Sequence, residues 1–320
     1  MALAMDPEVQ AELLPLMAAA GSTERPPVGD VESRRANGHR MFDLALATVT
    51  AAEGVEVSRH RVSAADGFEL EARWYRPAGA DTHGGAVLYL HGGGMIMGLE
   101  HMGRIFDVVL REYVAASGVP MLLVDYRVAP EHPHPTPVED CYAALQWLVH
   151  NASALGVDPN RVAVMGDSAG GGLAAGLALM ARDRGGPALR QQILIYPMLD
   201  DRTTTPDPDL PPFVTWDYAD NRTGWGALLG ERSGTEAISA YAAPARAQDL
   251  SGLPDTYIDV GDLDIFRDED IEYARRLSAA GVPTELHLFP GCPHAFDGLA
   301  RGAAVSRRAM VGRVRRLNAL

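Results

Sequence analysis

The stretch "VMGDSAGGG" occupies residues 164–172 of a 320-residue chain. Its apolar start is typical of a strand, and the glycine- and alanine-rich sequence after it is typical of a helix. A serine on a tight turn between the two, here Ser168, is held in a strained conformation with its hydroxyl exposed, and flanking glycines prevent side-chain clashes. The alternative is a phosphate-binding or merely tight turn. The order of strand, turn and helix favours a nucleophilic serine.

The rest of the chain places this turn in a layered architecture of strands and helices. Short apolar runs alternate with longer amphipathic ones, which is typical of a mostly parallel sheet covered by helices. The predicted strands are "LEARWYRP", "AVLYLHG", "MLLVDYR", "RVAVMGDS", "QQILIYP", "DTYIDVGD" and "TELHLFPG". The predicted helices are Gly103–Ser117, Pro137–Asn151, Ala169–Arg184 and Asp268–Ala280. Residues 1–45 and the proline-rich stretch after "YPMLD" interrupt the alternation and look like additions to the sheet.

The composition excludes several classes of function. The chain has no lysine, and the basic residues that lysine and arginine together supply, 28 in number, are all arginine. Without lysine there can be no Schiff-base cofactor, no Walker-type phosphate loop and no serine–lysine hydrolase. A formal net charge of −14 argues against a nucleic-acid partner, because phosphates would be repelled. The two cysteines, Cys141 and Cys292, give no disulfide framework.

The sequence also predicts where the protein acts. No apolar run approaches the ~18 residues of a membrane span, and the N-terminal stretch "MALAMDPEVQAELLPLM" has acidic residues where a signal peptide would carry positive charge. We therefore expect a cytoplasmic protein without membrane insertion. The arginine-rich stretch "RGAAVSRRAMVGRVRRLNAL" predicts a last helix whose arginines are solvated. His132 and His134 in "PEHPHPTP" lack a third nearby ligand, so we expect a structural loop and no metal.

A nucleophilic serine needs a general base and an acid that orients the base. His294 in "FPGCPHAF" lies in the loop directly after the last predicted strand. This is the loop in which a fold of this kind places the general base. The loop after "DTYIDV" offers two acids, Asp262 and Asp264, whereas Asp259 belongs to the strand itself. The chain order serine, aspartate, histidine is the order expected of α/β-hydrolases.

The stretch "YLHGGGMIMG", residues 89–98, contains three consecutive glycines. We expect their backbone to stabilise the oxyanion that forms when such a serine reacts. Attack on an ester carbonyl creates an oxyanion, which needs preorganised donors at about 2.7–3.1 Å. The backbone N–H groups of a glycine run can turn toward that charge without a Cβ in the way. The N–H of Ala169, directly after the nucleophile, would complete the donor set.

Together these motifs resemble the bacterial hormone-sensitive-lipase-like carboxylesterases, the family IV group with a GDSAG motif, of the α/β-hydrolase superfamily. The resemblance covers most of residues 50–320 and rests on "HGGGMIMG", "DYRVAPEHPHPTPVEDC", "GDSAGGGLA", "YPMLD", "GDLDIFRDED" and "GCPHAF", in this order. It implies an α/β-hydrolase fold with a mostly parallel central sheet. It also implies site residues: the triad of Ser168, Asp264 and His294, the oxyanion donors Gly93, Gly94 and Ala169, and a loop shaped by His91 and Gly92.

The same resemblance implies a helical cap built from the N-terminus and from an insertion after "YPMLD". We therefore predict a catalytic domain of residues 46–202 and 239–320, and a cap of residues 1–45 and 203–238. Met95 and Met97 stand where we expect aromatic or branched residues, and they line the substrate pocket or simply fill gaps. Trp216 and Trp225 line the pocket mouth or pack the cap.

The predicted function is hydrolysis of short- to medium-chain carboxylic esters through an acyl-enzyme, without metal or cofactor. The partner is a small-molecule ester, and a homodimer is left open. One alternative is an amidase or formamidase that uses the same triad. The other is a ligand receptor of the same fold, against which the intact His294 argues.

Overall fold

The computed structural model describes residues 3–20, 25–79, 84–210 and 213–320. In these residues eight strands form one sheet in the order β1-β2-β4-β3-β5-β6-β7-β8. The pairs β1–β2 and β2–β4 are antiparallel, and every other pair is parallel. The strands are β1 Val55–Ser63, β2 Glu69–Pro77, β3 Ala86–Leu90, β4 Met121–Val124, β5 Val162–Asp167, β6 Gln191–Ile195, β7 Asp255–Gly261 and β8 Thr284–Phe289.

Helices cover both faces of this sheet. Side chains alternate along β3, so that Leu88 and Leu90 belong to one apolar core while Val87 and Tyr89 belong to the other. The helices in the described residues are α1 Pro7–Ala20, α2 Val31–Ala45, α3 Leu99–Ser117, α4 Thr136–His150, α5 Ala152–Leu155, α6 Ala169–Asp183, α7 Tyr218–Leu229, α8 Arg267–Ala279, α9 Phe296–Leu299 and α10 Ala304–Leu317. Helices α4, α6 and α8 pack in the first core, and α3 and α10 pack in the second.

The sequence predicted seven of these strands and missed β1. The residues of β1 read "VEVSRHRVS" and are mostly polar, because the strand lies at the edge of the sheet with only Val55 and Val62 buried. The helix predicted from Gly103 begins earlier, at Leu99. Within the described ranges, none of the helices combines the length and the apolar character that a membrane crossing requires.

The two predicted cap segments contact each other over the sheet. Arg34 of α2 pairs with Asp220 of α7 at 2.9 Å, and both side chains are largely buried. The backbone N–H of Gly29 donates to Thr223 Oγ1 of α7 at 3.0 Å. These contacts join α2 and the segment before it to α7, and the division of the chain into catalytic domain and cap stays a prediction.

The prediction of a solvated last helix is wrong for Arg313. This residue of α10 is fully buried, and its guanidinium forms bonds of 2.7 and 2.9 Å to the two carboxylate oxygens of Asp259 in β7. It also pairs with Asp297, and its Nη1 donates to the hydroxyl of Tyr113 at 3.2 Å. A buried guanidinium requires such partners, so Arg313 anchors the last helix to the core.

Candidate active site

Ser168 occupies the sharp turn that the sequence predicted. It follows β5 directly and precedes α6, and its φ of 54° is a positive value that a residue with a Cβ rarely adopts. Hydrogen bonds hold this conformation, since its N–H donates to the carbonyl of Ile195 at 2.8 Å and its own carbonyl accepts from Met198 N at 2.9 Å. The turn aims the side chain across the carboxyl ends of the strands.

Helix α6 approaches β3 so closely that a side chain would not fit between them. A Cβ on Gly170 would lie 2.0 Å from the carbonyl oxygen of Leu90, which is far inside the contact distance. The glycine therefore lets the first turn of α6 press against the end of the strand. This contact sets the distance between the serine and the loop that follows β3.

The three predicted triad residues lie in hydrogen-bonding contact. His294 Nε2 is 2.9 Å from Ser168 Oγ, and His294 Nδ1 is 2.6 Å from Asp264 Oδ2. The other carboxylate oxygen of Asp264 accepts a hydrogen bond from the N–H of Phe266 at 3.0 Å. All three side chains are buried, with residue exposures of 7% for Ser168, 6% for His294 and 1% for Asp264. A base between a hydroxyl and a carboxylate is the arrangement that activates a serine.

The structure distinguishes the two acids that the sequence left open. Asp264 contacts His294, whereas Asp262 Oδ1 accepts a hydrogen bond from the N–H of Gly291 at 2.6 Å. Asp262 therefore shapes the loop that carries the histidine. Asp259 is paired with Arg313 in the core, as expected for a residue of the strand.

Aromatic rings and a cap hydroxyl hold His294 in place. The ring of Tyr196 meets the imidazole edge-on at a centroid distance of 4.8 Å, and that of Phe266 at 5.1 Å. Thr215, in the predicted cap, donates from its hydroxyl to the carbonyl of His294 at 2.5 Å. The cap therefore contacts the loop of the candidate base directly.

The glycine loop after β3 presents free backbone donors beside the serine. Gly93 and Gly94 have φ values of 124° and 61°, and the carbonyl of Gly93 accepts from the N–H groups of Ile96 and Met97 at 3.0 Å. Among the described residues, none accepts a hydrogen bond from the N–H of Gly93, Gly94 or Ala169. Ala169 is the first residue of α6, where backbone N–H groups lack helical partners.

Asp167 joins the glycine loop to the serine turn, a role that sequence reasoning missed. Its Oδ1 accepts from the N–H of Gly92 at 3.1 Å and from the hydroxyl of Tyr89 at 2.9 Å. Burial raises the pKa of Asp167 to about 6, although the bond from Tyr89 opposes this shift. The only sequence signal for it was its place beside the nucleophile.

His91 shapes the loop and does not reach the triad in this structure. Its ring stacks on Tyr126 at 4.1 Å, and its Nδ1 lies 2.8 Å from the carbonyl oxygen of Gly92, which fixes that nitrogen as the donor. Complete burial lowers the pKa of His91 to about 4, so the imidazole is neutral near pH 7.

The four residues suggested for the substrate pocket lie in different places. Trp216 covers the glycine loop, because a Cβ on Gly94 would lie 2.2 Å from the six-membered ring of its indole. Met95 lies beside Gly172 of α6, and Met97 lies against Gly38 of α2. Trp225 is buried in α7 within the apolar core. Two of the four contact candidate oxyanion donors, since Trp216 lies against Gly94 and Met97 lies against Gly93.

We expect Gly94→Ala to lower kcat at least ten-fold while the fold is retained. The new methyl group would collide with Trp216, and alanine resists a φ of 61°. Steady-state kinetics with a p-nitrophenyl ester and circular dichroism measure the two effects. Gly67→Ala is the matched control, because Gly67 has a φ of 84° but open space around it. Equal kinetics for both variants would contradict a role for the loop geometry.

Comparison with known proteins places this site in a family. A sequence profile of the alpha/beta hydrolase fold matches residues 87–298, a range that runs from β3 to α9 and includes the three positions predicted for the triad. The chain belongs to the α/β-hydrolase family. The carboxylesterase NlhH of Mycobacterium tuberculosis is 36% identical over 310 residues, covering 84% of this chain and 94% of the relative. The ethyl acetate hydrolase of Pseudomonas putida is 31% identical over 308 residues, covering 92% of each.

Solved structures of other α/β-hydrolases agree with this assignment. A bacterial heroin esterase superposes with a TM-score of 0.87 at 38% identity, covering 98% of this chain and 97% of its own. A hyperthermophilic esterase from the archaeon Pyrobaculum calidifontis superposes with a TM-score of 0.83 at 30% identity, covering 99% of each chain. The predicted resemblance, the predicted fold and the expectation of a carboxylesterase are confirmed.

Proposed function

We propose that this α/β-hydrolase cleaves carboxylic esters through Ser168, His294 and Asp264. The observation that carries the proposal is the continuous contact from Ser168 Oγ through the imidazole of His294 to the carboxylate of Asp264. A serine hydroxyl becomes nucleophilic when a neighbouring base accepts its proton, and a carboxylate on the far nitrogen stabilises the imidazolium that forms.

Acylation begins when Ser168 Oγ attacks the ester carbonyl carbon and its proton passes to His294 Nε2. The carbonyl oxygen then carries a negative charge, toward which the N–H groups of Gly93, Gly94 and Ala169 are available. The positive end of α6 favours the same charge. When the tetrahedral species collapses, the bond to the alcohol breaks and the alcohol leaves with the proton from His294.

Deacylation repeats these steps with water in place of the serine. His294 removes a proton from a water molecule, whose oxygen attacks the acyl carbon bound to Ser168. The second tetrahedral species collapses, the acid leaves, and Ser168 regains its proton from His294. No further group is needed to balance either step.

The test of this proposal is covalent trapping of the nucleophile. We expect the organophosphate paraoxon to add one diethyl phosphoryl group, and peptide mass spectrometry to locate it on Ser168. Ester turnover should fall in proportion to labelling. Labelling of another serine, or turnover that survives complete labelling, would contradict the proposal. Assays with matched anilides and formamides would reveal an amidase on the same triad.

We further propose a preference for short- to medium-chain acyl groups. Trp216 covers the glycine loop and Thr215 contacts the loop of His294, so the cap narrows the space above the serine. An enclosed apolar pocket gains roughly 0.8 kcal/mol per buried methylene until it is full, after which strain opposes binding. A relative named ethyl acetate hydrolase is consistent with short chains.

For p-nitrophenyl esters from acetyl to palmitoyl, we therefore expect kcat/KM to rise over the first few methylenes and then to fall. We also expect no increase in rate when the substrate forms an emulsion. A profile that keeps rising to the longest chains, or strong activation by an interface, would indicate a lipase instead.

A further inference from the structure

The turn that carries the oxyanion donors is strained at a residue that is not a glycine. Met95 follows Gly94 and has a φ of 66°, a region that a residue with a Cβ enters only where other contacts hold it. The turn is closed by the carbonyl of Gly93, which accepts hydrogen bonds from the N–H groups of Ile96 and Met97 at 3.0 Å. Contacts from outside this turn therefore decide whether its conformation persists.

Two carbonyl groups of the turn accept hydrogen bonds from other segments. The carbonyl of Met95 accepts from the N–H of Ala129 at 2.9 Å, in the stretch between β4 and α4. The carbonyl of Ile96 accepts from Nε of Arg35 at 2.7 Å. Arg35 belongs to α2, in the predicted cap. A side chain of the cap is thus bonded directly to the backbone that presents the oxyanion donors.

The guanidinium of Arg35 binds both sides of this junction. Its Nη2 donates to the carbonyl of Ala129 at 3.1 Å, and Glu131 accepts from Nη1 at 2.8 Å and from Nη2 at 2.6 Å. The side chain of Glu131 is 54% exposed, and such a surface ion pair adds little stability of its own. Its two parallel bonds orient the planar guanidinium, so that Nε faces the carbonyl of Ile96.

Helix α2 lies against the glycine loop around this bond. A Cβ on Gly38, which is on the same helix face as Arg35, would lie 2.7 Å from Sδ of Met97. His39 Nδ1 lies 2.8 Å from the carbonyl oxygen of His101 at the start of α3. A movement of α2 would therefore be transmitted to the glycine loop, and Arg35 is a polar link between them.

We propose that Arg35 is a positioning residue, whose bond to the carbonyl of Ile96 holds the turn in the shape that stabilises the oxyanion. The N–H groups concerned are those of Gly93 and Gly94. This inference rests on the proposed function, since the oxyanion forms only when Ser168 attacks an ester. Loss of the bond should then weaken binding of the transition state more than binding of the substrate.

The first test removes the guanidinium. Arg35→Met keeps the apolar stem of the side chain and removes every donor. We expect kcat for p-nitrophenyl butyrate to fall roughly ten- to hundred-fold, which is less than the ~10²–10³-fold loss typical of deleting a complete oxyanion donor. KM should change less than about three-fold, because the substrate itself carries no oxyanion.

Arg104→Met is the matched control. Arg104 of α3 donates from Nη2 to the carbonyl of Leu46, directly after α2, at 2.9 Å, so it fastens the other end of the same helix by the same kind of bond. We expect its kcat to stay within about two-fold of the wild-type value. Equal losses of kcat in the two variants, or an effect of Arg35→Met on KM alone, would overturn the proposal.

The second test measures stabilisation of the oxyanion directly. Ser168 Oγ adds to the carbonyl carbon of 1,1,1-trifluoroheptan-2-one, its proton passes to His294 Nε2, and the ketone oxygen becomes an oxyanion bound by the same donors. Arg35→Met should raise the Ki of this ketone by the factor by which it lowers kcat/KM. The Ki of heptan-2-ol, which forms no oxyanion, should change less than about two-fold. An unchanged Ki of the ketone together with reduced turnover would contradict the proposed role.

Hydrogen exchange tests the turn without any turnover. The amides of residues 89–98 should exchange about ten-fold faster in Arg35→Met protein than in wild type, and at the wild-type rate in Arg104→Met protein. Wild-type protein that hydrolyses no ester, together with this exchange pattern, would refute the proposed function and leave the link between α2 and the loop standing. Equal exchange in both variants would refute the link itself.

Discussion

Ser168→Ala is expected to lower kcat/KM for p-nitrophenyl acetate by on the order of 10⁴- to 10⁶-fold, because removal of a triad nucleophile abolishes the covalent route. The hydroxyl contributes little packing energy, so circular dichroism and the melting temperature should match those of the wild type. Ser278→Ala, an exposed serine of α8, is the control and should keep full activity. Near-normal turnover by folded Ser168→Ala protein would refute the proposed nucleophile.

The partner variant tests whether the residues act as one unit. His294→Ala should be about as severe as Ser168→Ala, because the hydroxyl cannot be activated without its base. The double variant should lose little more than either single variant, since triad effects are strongly non-additive. Multiplicative losses would indicate that serine and histidine serve separate steps.

Asp264→Asn is expected to lower kcat about 10⁴-fold with a small change in KM, which is the effect of a wrong histidine tautomer. Asparagine keeps the shape of the side chain but no longer balances the imidazolium. In the wild type the carboxylate of Asp264 lies 2.6 Å from His294 Nδ1 and is buried. In the variant, solvent water therefore cannot take the place of the lost negative charge. Steady-state kinetics across pH 6 to 9 would measure the loss.

Asp262→Asn is the matched control in the same loop. Its Oδ1 accepts a hydrogen bond from Gly291, and an asparagine oxygen can accept the same bond. We therefore expect a loss of less than ten-fold. A drastic effect of Asp262→Asn together with a mild effect of Asp264→Asn would show that Asp262, and not Asp264, is the acid that orients His294.

The sequence predicted those parts of the molecule that local pattern determines. The buried parallel strands β3 to β7 read as apolar runs, and β2 and β8 alternate between more and less buried residues, so seven of the eight strands were predicted. The turn at Ser168 has a local signature of glycines between a strand and a helix, and the loop of His294 follows the last strand. Local pattern alone left Asp262 and Asp264 undecided, and only the resemblance to a family favoured Asp264.

Contacts between segments that are distant in the sequence could not be predicted from local pattern. β1 is a polar edge strand, and its signal is weak for that reason. Arg313 lies in a helix rich in arginines, and nothing in its neighbours distinguishes the one that is buried against Asp259. The bond between Asp167 and Gly92 joins residues 75 positions apart, so its role in holding the glycine loop appears only once β3 and β5 are paired.

The close approach of α6 to β3 has a consequence for directed evolution of this enzyme. At Gly170 every side chain other than hydrogen would push the helix away from Leu90, so a randomised library at that codon would yield mostly inactive clones. Val109 of α3 and Met310 of α10 line a cavity on the opposite face of the sheet, so a larger side chain there would enter open space. Screening effort is better placed at these two codons, because substitutions there leave the contact between α6 and β3 unchanged.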